Sequence, residues 1–172
     1  MLFQIYKFIE VRVTNVDLPK GKVVFKSGLW GNDDIYLMDI NGSNLRRLTR
    51  YPILGPMFDT LITNLRPSFS HGGEKIVFES DRDNNNSRKS PIFDYKGKPI
   101  GWKYVHRPSE VYIMDINGEH QTRLTYSSIG SGSIFFSSSD QKILFHLDPF
   151  PKDQFYEELK IINADGTNET TL

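Results

Sequence analysis

Basic and aromatic side chains crowd one stretch of this 172-residue chain, from Arg82 to Arg107. Arg82, Arg88, Lys89, Lys96, Lys98, Lys103 and Arg107 stand against only Asp83 and Asp94, a net charge of +5. Phe93, Tyr95, Trp102 and Tyr104 interleave with those charges. Large, stiff aromatics beside long cationic side chains are what anchors protein–protein contacts, because they bury much area at little entropic cost. The residue types therefore point to binding through Arg88, Lys89, Tyr95, Trp102, Tyr104 and Arg107, joined by Trp30 in the loop from Ser27 to Asp34. A plainer reading stays open, in which the stretch is a hairpin whose aromatics pack on its own scaffold while its charges face water. Alanine at Trp102 and Tyr104 separates the two: loss of folding marks packing, and loss of binding alone marks contact.

Other chemistries find no residue set. The run from Asp81 places Asp83 and Asn85 at alternate positions like the start of a calcium loop, but Asn86 and Ile92 stand where Gly and Glu are required. His71, His106, His120 and His146 are scattered without a paired spacing, and the chain has no cysteine, so no zinc or thiol site is expected. No GxSxG elbow occurs; Gly130 to Ser133 reads as a flexible loop entry. Asp39 and Asp115 are expected to hold turn backbone amides and not to act as general acids. No catalytic residue, metal or cofactor is expected.

Composition narrows the partners. Lys plus Arg and Asp plus Glu are 21 each, a formal net charge of zero, which argues against a whole-surface nucleic-acid or anionic-membrane binder. The loop Asp148 to Glu158 is net −3 and available to pair with the basic stretch, so nucleic acid is not an expected partner. No apolar run approaches the ~18 residues of a membrane span, and the first residues, interrupted by Gln4, Lys7 and Glu10, do not form a signal peptide. The compartment stays open. With 38% hydrophobic and 13% aromatic residues, a core is within reach.

The elements that must carry these residues repeat three times. IYLMDINGSNLRRLT (Ile35 to Thr49), VYIMDINGEHQTRLT (Val111 to Thr125) and LKIINADGTNETTL (Leu159 to Leu172) each alternate, turn at Asn-Gly or Asp-Gly, and start a second short strand. Those turn pairs suit type I′ hairpins, which need positive φ at both central residues. Upstream of each lies a β-branched or aromatic strand: Lys22 to Phe25, Lys75 to Phe78 and Lys142 to Phe145. A further strand precedes each, at KFIEVRV, Arg66 to Ser70 and Ser133 to Ser137. Each unit is thus a meander of strands A, B, C and D. The shortest spacings give a period of about 44 residues, matching the roughly 40–45 of a four-stranded propeller blade.

RPSFSHGGEKIVFESDRD, EVYIMDINGEHQTRLT and IYLMDINGSNLRRLT resemble the TolB-type, WD-repeat-like β-propeller repeat. Pro67, Phe69, Ser70, Gly73, Ile76, Phe78, Ser80, Asp81 and Arg82 fit its pattern, as do Tyr112, Met114, Asp115, Asn117, Gly118, Leu124 and Thr125. His71-Gly72 replaces the usual Pro-Asp of the A–B turn. The resemblance implies an all-β chain, residues 1–172, of about three four-stranded antiparallel blades, a partial or half propeller. Blade 1 spans about 3–50, blade 2 about 63–126 with a B–C insertion at 81–109, and blade 3 about 132–172. It also implies a non-catalytic scaffold for protein–protein interaction, in a family often periplasmic, with the B–C/D–A loop face as the binding face. The alternative is the propeller portion of an enzyme, a prolyl-oligopeptidase-like peptidase or a metal-dependent lyase, whose catalytic part lies elsewhere. We expect about twelve strands in three sheets without helix, with Phe25, Phe78, Phe145, Tyr36 and Tyr112 buried. Three blades cannot close a ring. Either the chain is a piece, the preferred reading because it stops inside the third LT motif, or two copies complete six blades.

Overall fold

The computed structural model describes residues 21–28, 33–50, 62–83, 89–104, 109–126, 130–148 and 158–172. Their regular structure is β-strand, without an α-helix. Blade 1 shows β1 (Lys22–Ser27), β2 (Asp34–Asp39) and β3 (Arg46–Arg47), in that order; its expected A strand lies outside the described residues. Blade 2 is complete in β4 (Asn64–Phe69) and β5 (Lys75–Ser80), then β8 (Glu110–Asp115) and β9 (Thr122–Arg123). Between β5 and β8 runs a hairpin of β6 (Lys89–Phe93) and β7 (Pro99–Tyr104) that forms a sheet of its own. Blade 3 comprises β10 (Gly130–Phe136), β11 (Lys142–Asp148), β12 (Glu158–Asn163) and β13 (Thr170–Thr171). All neighbouring strands are antiparallel. The expected three sheets are four among the described residues, because the insertion pairs with itself.

Blade faces explain why the B strands read as unbroken apolar runs. A propeller blade is covered on both sides, so both sets of alternating side chains are buried. In β5, Ile76 and Phe78 join Ile35, Leu37 and Leu48 of blade 1 in one cluster. Val77, between them, joins Ile143, Phe145 and Ile162 of blade 3 in the other. The two clusters are the two blade–blade seams. Phe25, Phe78, Phe145, Tyr36 and Tyr112 are all buried, as expected from their equivalent places. Phe25 stacks on Tyr36 across β1 and β2, and Phe78 on Tyr112 across β5 and β8.

The C–D turns differ from the expected type I′. Only the glycines Gly42, Gly118 and Gly166 take positive φ within the turn pairs. In each, the glycine N–H donates to the carbonyl of the last C-strand residue (Asp39, Asp115, Asn163), and that residue's N–H donates one residue beyond the glycine. This is a three-residue loop, a type I turn closed by a left-handed glycine. Ile40, Ile116 and Ala164 supply the extra residue that a two-residue reading of Asn-Gly overlooks.

A second correction concerns who holds the turn amides. Asn41, Asn117 and Asp165 accept the N–H two residues on with their side-chain oxygens. Asp39 instead accepts side-chain donors from Lys22, Asn44 and Ser43, and Asp115 pairs with Lys75 and His120. The hydrogen bond from Lys22, then those from Asn44 and Ser43, hold the Asp39 carboxyl down at about 2. His120 and then Lys75 lower that of Asp115. An unfolded Asp binds its proton near ~3.9, so the folded form gains from both carboxylates above that value and loses the gain as pH falls towards about 2. We expect the urea midpoint to drop between those pH values and Asp39→Asn to flatten the drop. A wild-type midpoint unchanged across the window would rule this out.

Candidate functional site

The B–C and D–A connections emerge from one end of the blades, where the C strands begin and the D strands end. Beneath them lies a layer of buried polar groups. Each C strand of blades 1 and 2 opens with a buried carboxylate, Asp34 or Glu110. Each is bonded to an Arg of its own D strand and to the Thr two residues on: Asp34 to Arg47 and Thr49, Glu110 to Arg123 and Thr125. The same threonine hydroxyls accept the N–H of Ile35 and Val111. That geometry is why acid, Arg and LT recur together: a buried carboxylate needs both a cation and a hydrogen-bond donor to offset its desolvation. Burial nevertheless pushes the Asp34 carboxyl above its ordinary value, against the lowering effect of Thr49 and Arg47.

Arg82 ties the blades together across this layer. Its guanidinium lies over the rings of Phe78 and Tyr112, at 5.1 and 4.7 Å, and donates to Asn64 and Gln121. Asn64 in turn donates to the Asp33 carbonyl of blade 1, and Gln121 to the Leu48 carbonyl. Burial and then the bond to Asp83 raise the Tyr112 hydroxyl above its usual range, so it stays a donor. Glu79, fully buried, accepts from Nη1 of Arg66 with both carboxylate oxygens, at 2.7 and 2.6 Å. A bulge between Leu65 and Ser68, with Arg66 at φ 50, accompanies that pairing. These groups bond to one another at the end of the blades where the C strands begin. Among the described residues no cluster of acidic residues or histidines has metal-binding geometry.

The insertion between β5 and β8 carries the β6–β7 hairpin. It carries four of the expected contact residues on one element: Lys89 and Tyr104 are register partners, Trp102 is the register partner of Pro91, and Tyr95 sits at the turn. Trp30, Arg88 and Arg107 lie outside the described residues. The tip is built by Asp94, whose Oδ1 accepts the N–H of Lys96 and Lys98 while Gly97 closes the turn at φ 77. Tyr95 is 91% exposed, Ile100 is also exposed, and the Lys96 ammonium lies 5.4 Å from the Tyr95 ring centre. The one turn aromatic thus points to water and not onto the blade.

Sequence reasoning singled out the hairpin but missed the polar layer. Its signal was present in the spacing, shared by units one and two, of an acid before the C strand's apolar core and an Arg before LT.

No protein-family model and no curated protein matches this sequence. Solved structures do. A structure assigned as TolB from Agrobacterium tumefaciens aligns at TM-score 0.60 and 20% identity, over 88% of this chain and 44% of that one. A chain of the nidogen/laminin complex aligns at TM-score 0.55 and 11% identity, over 91% and 45%. The fold is that of a TolB-like β-propeller. A prolyl endopeptidase also aligns, at TM-score 0.55 and 9% identity, over 88% of this chain and 20% of that one. This propeller chain therefore spans under half the length of each of these structures.

Proposed function

We propose that the chain is a non-catalytic propeller scaffold that binds a protein partner through its B–C/D–A loop face, with the β6–β7 hairpin as the contact element. The observation that carries this reading is the hairpin tip, where an exposed tyrosine and isoleucine stand beside Lys96 and Lys98 on a turn fixed by Asp94. A pre-ordered tip loses little entropy on docking, and an aromatic flanked by cations suits a partner with an apolar pocket rimmed by acidic groups. Trp30, Arg88, Lys89, Trp102, Tyr104 and Arg107 extend the same surface in this reading. The nidogen/laminin neighbour supports it as an instance of the fold within a protein–protein assembly. The prolyl endopeptidase likeness is one of fold and brings no catalytic residue to this chain.

The test compares wild type with Tyr95→Ala/Lys96→Ala/Lys98→Ala in pull-downs from extracts of the source cells. The triple variant should keep its melting temperature, since the replaced side chains are exposed, and lose the captured protein. Capture undiminished by the variant would sink the reading. So would equal loss on replacing Glu119, which sits on a C–D turn at the opposite end of blade 2.

A further inference from the structure

The β6–β7 hairpin is a sheet of two strands, and no other described strand pairs with it. A two-stranded ribbon is marginal in water and is steadied by a third strand. Which edge can take one follows from the ladder. The Asp94 N–H donates to the Lys98 carbonyl, and the Asp94 carbonyl accepts from Gly97, so the backbone of Asp94 faces inward. In an antiparallel pair, inward and outward residues alternate along each strand. On β6 the backbone groups that turn outward are therefore those of Phe93, Pro91 and Lys89. Their register partners on β7, turned outward likewise, are Pro99, Trp102 and Tyr104.

The two edges differ in what they offer. Proline has no N–H and carries its ring on that nitrogen. Pro91 interrupts the outer edge of β6 at its middle, between Lys89 and Phe93, which is a recurrent way of blunting an edge strand. On β7, Pro99 stands only at the first position. Trp102 and Tyr104 follow as successive outward positions, each with an N–H and a C=O. The register shift between Ile92 and Phe93 leaves Ile100 without a partner on β6, and its side chain is 65% exposed. One edge is blocked and the other is open.

Charge selects the occupant. From Lys89 to Tyr104 the chain carries Lys89, Lys96, Lys98 and Lys103 against Asp94 alone. Lys96 and Lys98 are exposed at the turn. A second copy of the hairpin has the same net charge, and like charges opposed across strands are destabilising. An acidic strand meets the opposite sign.

We propose that the outer edge of β7 takes an extended acidic segment of the partner protein as a third strand, paired with the N–H and C=O groups of Trp102 and Tyr104. Main-chain hydrogen bonds give the affinity, and the cationic turn selects the charge of the segment. This pairing presupposes the hairpin as the contact element, as proposed above, and adds which strand is paired and the chemistry of what pairs with it.

The probe is an end-blocked peptide of alternating Glu and Val, with a Lys and Val peptide as its control. It is added to the full chain at up to about 1 mM, the range of a weak single contact, and amide hydrogen exchange is read by NMR. The acidic peptide should slow exchange at Trp102 and Tyr104 by at least about tenfold and leave Lys89 and Phe93 unchanged. The basic peptide should slow none of them. Tyr104→Pro removes an outward N–H but no inward one, so the amides of Ser90 and Ile92 should stay protected while the peptide effect at Trp102 is lost. Tyr104→Ala keeps that N–H and should keep the effect. Slowing at Lys89 and Phe93, equal effects of the two peptides, no effect, or Trp102 and Tyr104 amides already protected in the free chain each overturn the proposal. If the acidic peptide has no effect while Tyr95→Ala/Lys96→Ala/Lys98→Ala still loses the captured protein, the edge pairing falls and the contact surface stands.

Discussion

Replacing Phe78 with alanine is expected to lower the unfolding free energy by about 3–5 kcal/mol. The ring is fully buried at the first seam, stacked on Tyr112 and covered by the Arg82 guanidinium. Three losses coincide there: the transfer energy of the ring, the cavity left between two blades, and the cation–π contact that holds Arg82 over the sheet. A domain of this size has only about 5–15 kcal/mol in total, so the change removes a large share. Phe78→Leu keeps most of the volume and should cost under about 1.5 kcal/mol. Urea denaturation measures both. A loss for Phe78→Ala below about 1 kcal/mol would mean that blade 2 does not pack as described.

The same residue shows what the sequence made legible. Phe78 was placed in the core because KVVF, KIVF and KILF recur at matching distances from a turn glycine, and a repeated period of two fixes which side chains share a face. Register followed from the repeats, and the five aromatic positions are buried. The C–D turns were misread for a local reason. Asn-Gly is compatible with two loop lengths, and the dipeptide alone does not show whether the residue before it continues the ladder or, as Ile40 and Ile116 do, joins the loop. The acid–Arg–Thr layer was invisible to a reading organised by apolar alternation. Its members are polar residues at strand ends, where polar residues ordinarily face water, and only the three-dimensional closure of blade on blade buries them. The hairpin was legible as an insertion of unusual composition, and its separate sheet was not; its strands carry Pro91 and Pro99, which a strand interior ordinarily excludes.

That buried layer sets the remaining prediction. Glu110→Ala should cost about 3 kcal/mol, the lower end of the 3–5 kcal/mol seen on breaking a buried ion pair. Glu110 is 1% exposed, and it accepts from both the Arg123 guanidinium at 2.9 Å and the Thr125 hydroxyl at 2.6 Å. Removing it strands a cation beneath the loop face and frees the hydroxyl that fixes the Val111 N–H. The cost sits at the low end because Arg123 keeps some access to water and has Asp83 within 3.6 Å as a second partner. Since the penalty comes from the orphaned cation, Glu110→Ala/Arg123→Ala should cost much less than the two single changes added together. Additive losses in that cycle would mean that the pair contributes no coupling. The D-strand arginine would then be retained for the contact of its guanidinium with the Tyr126 ring, over which it lies at 4.5 Å.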